Sequence, residues 1–410
     1  MPTLEDDLET SGPAGLSPAP VEDLIPEVRQ HARRRRGRNL AIVVLAGALA
    51  GALIAITGSG SPARHQTDRS PSPSAAASAR TKRSSVIPKQ PADLAVGPTG
   101  ALYLADGGRQ QILRRLPDGR FQVVAGTGVA GYSGDGRLAT EADIDDPNSL
   151  VVAPNGTLYF TQAGRTKDAN GLPDSVVREI TPDGKITTLI GQHPNCDAVP
   201  RTSTSMPAQS AEFDGAQLTI ARSGALDIST TVCPNILHLG GYLQLTASGE
   251  LVRTKAGSIP IPKDTSGYCG AGIPGPGFVA FGCSSGARRG ARLMVVRSNG
   301  STENYPDDGS QADDMSVSDG TVVAIHNGAI VRVGANGLHT IATQRQLIDL
   351  VPGATGGWPG VGIANDRQGN VYVDQDFLIA RHSCADVIFE ITSSGLRRSL
   401  WHSARTDSCY

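Results

Sequence analysis

The chain has 410 residues, of which 39% are hydrophobic and only 19% charged, with 49 glycines, 27 prolines and a formal net charge of -2 at pH 7. So near-neutral a balance gives no general attraction to nucleic acid, and so many turn-forming residues argue against a helical bundle. The length suits either two or three average domains or one large all-β domain.

Residues 1–28 carry Glu5, Asp6, Asp7, Glu9, Glu22, Asp23 and Glu27 and no basic side chain. Such a segment has too little apolar surface to offset the entropy of ordering, so 1–38 reads as a disordered cytoplasmic tail with a basic end. That end is Arg29, Arg33, Arg34, Arg35, Arg36 and Arg38. Residues 40–56 then contain no polar side chain, which is near the lower limit for crossing a bilayer and predicts one transmembrane helix over 39–58. Six arginines precede it closely, while Arg64 and Arg69 follow with Asp68 between them. The positive-inside rule therefore predicts a single-pass cell-membrane protein with its C-terminal domain extracytoplasmic. A cleaved signal, cut near 59–63, is the alternative. Gly47 and Gly51 would seat a homodimer through this helix. Residues 59–90, rich in Ser, Pro and Ala, read as an extracytoplasmic stalk.

From residue 91 one pattern recurs. Leu94, Gly100, Leu102, Tyr103 and Asp106 are matched by Leu150, Gly156, Leu158, Tyr159 and Gln162, a spacing of 56 residues. Each copy continues through a second apolar run to an Asp-Gly turn, at Asp118-Gly119 and at Asp183-Gly184. Short apolar runs separated by such turns are hairpin-connected strands, and a repeat of this length is one blade of a propeller. Further blades are expected at 216–255, 277–300, 315–342 and 361–401, the last restoring the opening pattern with Gly369, Val371 and Tyr372. The predicted fold over 91–410 is an all-β, six-bladed β-propeller, with five or seven blades as the alternatives.

The repeat, and above all the connection Gly126-Thr-Gly-Val-Ala-Gly131-Tyr-Ser-Gly-Asp135-Gly-Arg-Leu-Ala-Thr-Glu-Ala142-Asp-Ile144, resembles the NHL domains of bacterial extracellular proteins and teneurins. Gln110, Gln111 and Gln162 depart from the family pattern. The resemblance implies a platform for protein, RNA or carbohydrate contact, in some members the sensor half of a signalling protein. A minority of members are enzymes, including a lyase that holds metals in the propeller channel.

All six cysteines, Cys196, Cys233, Cys269, Cys283, Cys384 and Cys409, lie in the second half. An even number confined to one segment predicts disulfides in an oxidising compartment, paired sequentially; no Cys-x2-Cys pair suggests zinc. No cofactor is expected; calcium is the alternative, through Asp135, Glu141, Asp143, Asp145 and Asp146, whose spacing is not that of an EF-hand. No pair of histidines is spaced for a metal, so a channel metal would need convergence from separate blades, with His238, His326 and His382 as the candidates. Serine nucleophile and dinucleotide fingerprints are absent. Ligand contact is expected from irregular loops and from the aromatic residues Tyr305, Trp358 and Phe377. The resulting expectation is a membrane-anchored extracytoplasmic binding or sensory module for a protein, glycan or small ligand, and not an enzyme. The alternative is an extracytoplasmic metal-assisted lyase or hydrolase.

Overall fold

The computed structural model describes residues 85–405, apart from 168–172, 195–204, 214–215, 222, 233–238, 254–266, 270–272, 276, 286–291, 307–314, 335, 358–361 and 381–382. The chain divides into two compact units, and the first, residues 1–80, lies wholly outside the described residues. The expected tail, membrane segment and most of the stalk fall there. Among the described residues no helix is long and apolar enough to cross a membrane, so the single-pass transmembrane helix is not carried further. Among the described residues no cysteine is free, and Cys384 is disulfide-bonded. Cys196, Cys233 and Cys409 lie outside the described residues, and no disulfide has both its side chains among the described ones.

Six antiparallel sheets follow one another along the chain. Blade one is β1 (Pro91–Val96), β2 (Leu102–Asp106), β3 (Gln111–Arg115) and β4 (Phe121–Ala125). Blade two is β5 (Asn148–Val152), β6 (Leu158–Lys167), β7 (Pro173–Ile180) and β8 (Ile186–Ile190). Blade three has β9 (Ser205–Pro207) on its outer edge, then β10 (Gln217–Ile220), β11 (Leu226–Val232), β12 (Leu239–Leu245) and β13 (Glu250–Arg253). In blade four the inner strand is broken into β14 (Gly267–Cys269) and β15 (Ile273–Gly275), both paired with β16 (Phe278–Ser285), which β17 (Arg292–Arg297) and β18 (Thr302–Pro306) follow. Blade five is β19 (Met315–Ser318), β20 (Thr321–His326), β21 (Ala329–Gly334) and β22 (Gly337–Ala342). Blade six joins β23 (Gly356–Gly357) and β24 (Gly362–Asn365) to β25 (Val371–Ala380), β26 (Ser383–Ile391) and β27 (Arg397–Arg405). This is a six-bladed β-propeller.

Both faces of a blade are buried, which is why the strands do not alternate cleanly between apolar and polar. In β2, Leu102 and Leu104 pack with Ala364, Tyr372 and Ile388 of blade six, while Ala105 packs with Leu150, Leu158 and Phe160 of blade two. Successive side chains point to opposite faces, so a single strand feeds two cores. The packing of blade one on blade six closes the ring. Each such aliphatic side chain contributes about 1.5–3 kcal/mol by leaving water.

The connection after blade one explains its own sequence. Gly126 donates to Ala139 O at 2.9 Å, Thr127 donates to Ala142 O at 2.9 Å, and Ala139, Ala142 and Ile144 are buried between blades one and two. A second copy follows blade two: Gly191 donates to Ala208 O at 3.1 Å, and Ala208, Ala211 and Phe213 are buried between blades two and three. In both, the incoming segment pairs with the outer strand of the next blade, at Leu138 with Lys185 and Met206 with Leu251. Gly126 has φ +93°, and a Cβ there would sit 2.3 Å from Gln110 O. Gly126→Ala is therefore expected to lower the unfolding free energy by at least roughly 1–3 kcal/mol, measured by urea denaturation followed by circular dichroism.

The acidic side chains of this connection serve the fold. Asp135 Oδ1 accepts from Arg178 at 2.6 Å and from Thr188 at 3.2 Å; Asp143 accepts from Thr127 at 2.5 Å and from Ser133 at 3.1 Å. Arg178 is fully buried, also donates to Ser133 O and Gln162 Oε1, and lies 5.1 Å from the Tyr132 ring centroid. Among the described residues no group of three or more His, Cys, Asp or Glu side chains is placed to hold a metal ion.

Candidate functional site in the central channel

The inner strands β1, β5, β10, β19 and β24 each pair on one side only. Their other edge carries N–H and C=O groups that a sheet edge leaves open. At one level of the bore these groups are closed by side chains of other blades. Asp93 Oδ2 accepts from Leu150 N–H at 2.6 Å, Ser149 Oγ accepts from Leu218 N–H at 2.8 Å, and Gln217 Nε2 donates to Met315 O at 3.2 Å. Asp93, Ser149 and Gln217 each stand one residue before the first leucine of the repeat, so the staple comes from equivalent positions in three blades. Ser149 adopts φ +44° beside a register shift in β5, a strained conformation for a serine that directs its hydroxyl to blade three. Gly362 occupies the equivalent position in blade six. A Cβ there would lie 3.2 Å from Asp93 Cα, so glycine lets β24 approach β1 closely.

Asp93 is the chemically distinctive member of this layer. Its Oδ1 accepts from Leu94 N–H at 2.7 Å, leaving each oxygen a lone pair beyond the backbone bonds. The residue is half-buried by surface area, yet protein surrounds its carboxyl group. Burial pushes its pKa up from 3.8 to about 7, against the lowering effect of the two backbone donors. A carboxylate that merely stapled two strands in a wet groove would be held low by those donors. Here desolvation wins, which leaves a group able to give or take a proton near neutrality. Asp106, by contrast, is fully buried and holds the incoming chain through N–H bonds from Lys89 at 2.7 Å and Gln90 at 2.9 Å.

Beyond the staple layer the bore opens into a cavity of about 130 Å³ that reaches the turns joining the first two strands of blades one, two, three, five and six. Its walls come from blades one, two, three, five and six, with Val96, Val152, Ile220, Val317 and Asn365 among them and Asp319, Asp366 and Arg367 at its rim. Among the described residues blade four contributes none, in keeping with its broken inner strand. Asn365 is 4% exposed; its Nδ2 donates to Thr321 O at 3.0 Å, and its Oδ1 has no hydrogen-bond partner. Leaving a buried acceptor unbonded costs about 1–3 kcal/mol. At the rim, Asp366 takes two bonds from Asn370, and Tyr372 lies between Asp366 and Glu390; its own burial, and then their charges, push its hydroxyl pKa up.

The described side chains among those singled out in the sequence lie elsewhere. Tyr305, on β18, donates to Glu303 at 2.5 Å and meets the His326 ring edge-on at 6.4 Å; burial and Glu303 push its pKa up to about 12. Phe377 is fully buried and packs edge-on against Phe389 at 5.5 Å, so it presents no surface contact. Trp358, His238 and His382 lie outside the described residues. His326 is buried at the end of β20. Asp93 and Asn365 were not singled out. Aligning the six turn glycines would have exposed both, Asp93 as the first of three polar residues at one position and Asn365 as a polar residue among aliphatics.

No family model matches the chain. A segment is 32% identical over 116 residues to Teneurin-m of Drosophila melanogaster, which takes in 27% of this chain and 4% of that protein. The chain thus matches a small fraction of that relative's length. Among solved structures, a virginiamycin B lyase from Staphylococcus aureus is 16% identical with a TM-score of 0.39, covering 76% of this chain and 83% of that one. A gluconolactonase from Xanthomonas campestris is 11% identical with a TM-score of 0.41, covering 70% and 83%. Likeness at this level assigns no reaction. The expectation that the chain is not an enzyme is not carried further.

Proposed function

We propose that the protein is an NHL-type propeller that works through its central channel as a lyase or hydrolase on a small substrate, with Asp93 as the general acid–base. The observation that carries this reading is Asp93 itself: a half-buried inner-strand carboxylate with a backbone donor on each oxygen, its pKa pushed up to about 7 by burial. As a carboxylate it would take a proton from water or from a carbon beside a carbonyl; as a carboxylic acid it would return one to the leaving group. Proton transfer of this kind contributes roughly 10²–10⁴-fold. Assignment to the NHL propellers is supported by the glycine-rich connection at 126–144 and by the segment shared with Teneurin-m. The described residues supply no metal set, so no step is routed through one.

The test uses p-nitrophenyl acetate as an activated ester and δ-valerolactone as a lactone. The expected result is turnover that rises as pH passes through about 7 and falls at least roughly 100-fold in Asp93→Asn, with circular dichroism unchanged. Turnover by Asp93→Asn equal to that of the parent, or none by either protein, rejects a reaction of this class at Asp93 and makes the channel a binding site.

A further inference from the structure

We propose that the turn end of the channel is a separate binding subsite for a short aliphatic alcohol or amine, whose O–H or N–H donates to Asn365 Oδ1. The register of the inner strands makes the case. Near the end of each of five inner strands one residue pairs with a buried aliphatic residue on the second strand: Val96 with Leu102, Val152 with Leu158, Ile220 with Leu226 and Asn365 with Val371 at the last position, and Val317 with Val322 one position before the end of β19. All five line the same cavity. Four of these five side chains are aliphatic and one is an amide; Ser316, Ser318, Asp319, Asp366, Arg367 and Gln368 line the cavity around them, so Asn365 is the one polar member of this ring but not of the whole wall.

At that point the amide is fixed and half satisfied. The bond from Nδ2 to Thr321 O settles which way the carboxamide faces, since only nitrogen can donate to a carbonyl. The oxygen that remains is buried and has no partner. Nothing in the packing requires it, because valine holds the equivalent position in three other blades. A buried acceptor flanked by four aliphatic side chains selects a ligand that brings one donor on a compact hydrocarbon frame, and rejects the same frame without the donor. About 130 Å³ limits that frame to a few carbons. The subsite is distinct from Asp93, and its occupancy does not depend on the reaction proposed there.

The experiment titrates the ¹⁵N- and methyl-labelled protein with isobutanol, isobutylammonium and methyl isobutyl ether. The Asn365 carboxamide signal is assigned by its loss in Asn365→Val, and binding is read from the Val96 and Val152 methyls. The expected result is a saturable shift with isobutanol, isobutylammonium or both, and at least tenfold weaker binding of the ether. Asn365→Val should bind the preferred probe at least tenfold more weakly with its melting temperature equal to the parent's or higher. The comparison between alcohol and ammonium identifies the donor as neutral or cationic. Equal binding of the ether, unchanged affinity in Asn365→Val, or no saturable shift with any probe overturns the proposal. The parent protein's response to alcohol and ether decides the matter even where the variant fails to fold.

Discussion

Asp135→Ala is expected to lower the unfolding free energy by roughly 3–5 kcal/mol, the cost of stranding a buried charge. Arg178 is fully buried, and Asp135, a quarter exposed, is its ion-pair partner at 2.6 Å. The remaining contacts of the guanidinium, to Ser133 O, Asp143 O, Gln162 Oε1 and the Tyr132 ring, carry no full negative charge. The reciprocal change should be milder. Arg178 pairs with Thr188 across β7 and β8 as Leu113 pairs with Val123 across β3 and β4, and as Phe389 pairs with Ser399 across β26 and β27. The propeller therefore accepts an apolar side chain at that place, and Arg178→Leu should cost less than Asp135→Ala. The double variant should recover much of the loss, because removing both charges removes the desolvation penalty as well. Urea denaturation of the four proteins gives the cycle. An Asp135→Ala variant within about 1 kcal/mol of the parent would show that the pair is not what holds this connection.

The propeller was legible in the sequence because its blades are local objects. Hairpin strands, Asp-Gly turns and the 56-residue spacing each depend on residues close in sequence, and blades one, two, five and six fall within a few residues of expectation. Blade four was underestimated, since β14 and β15 share one partner strand in place of a continuous inner strand, and short broken strands carry little periodicity. The channel was not legible for a different reason. Asp93, Leu150 and Leu218 are separated by more than fifty residues each, and their contacts exist only once neighbouring blades are side by side. Sequence reasoning instead favoured residue types with a reputation for contact. Phe377 had the right chemistry for a surface anchor, but it belongs to the alternating face of β25 that packs against blade five. The acidic run from Asp135 to Asp146 looked like a source of hard oxygens; Asp135 and Asp143 are engaged by Arg178, Thr188, Thr127 and Ser133.

The Asp93 carboxyl should titrate in the folded protein with a midpoint near 7, read from its side-chain ¹³C resonance and assigned by its loss in Asp93→Asn. The consequence for stability follows from the sign of that shift. In the unfolded chain an aspartate titrates near 3.9, so the folded state binds this proton more tightly than the unfolded state does. The contribution to stability is fully present below about pH 4 and is lost as pH rises to about 7. Burial also raises the pKa of Asp106 and Asp227, so the whole protein should lose stability in the same direction, and the Asp93 share has to be isolated by comparison. Asparagine cannot reproduce the site, because its Nδ2 would face Leu94 N–H or Leu150 N–H, each of which now finds an oxygen. At pH 4 the asparagine variant should therefore be the less stable of the two by about 1–3 kcal/mol, the cost of a buried donor left unbonded. As pH rises to 7 the parent alone acquires a buried charge, so the gap should narrow and can reverse. A folded-state midpoint below about 5, or a stability gap that widens with pH, would mean that the backbone donors outweigh burial. Asp93 would then be a permanently charged staple between blades one and two, and the acid–base reading would fall with it.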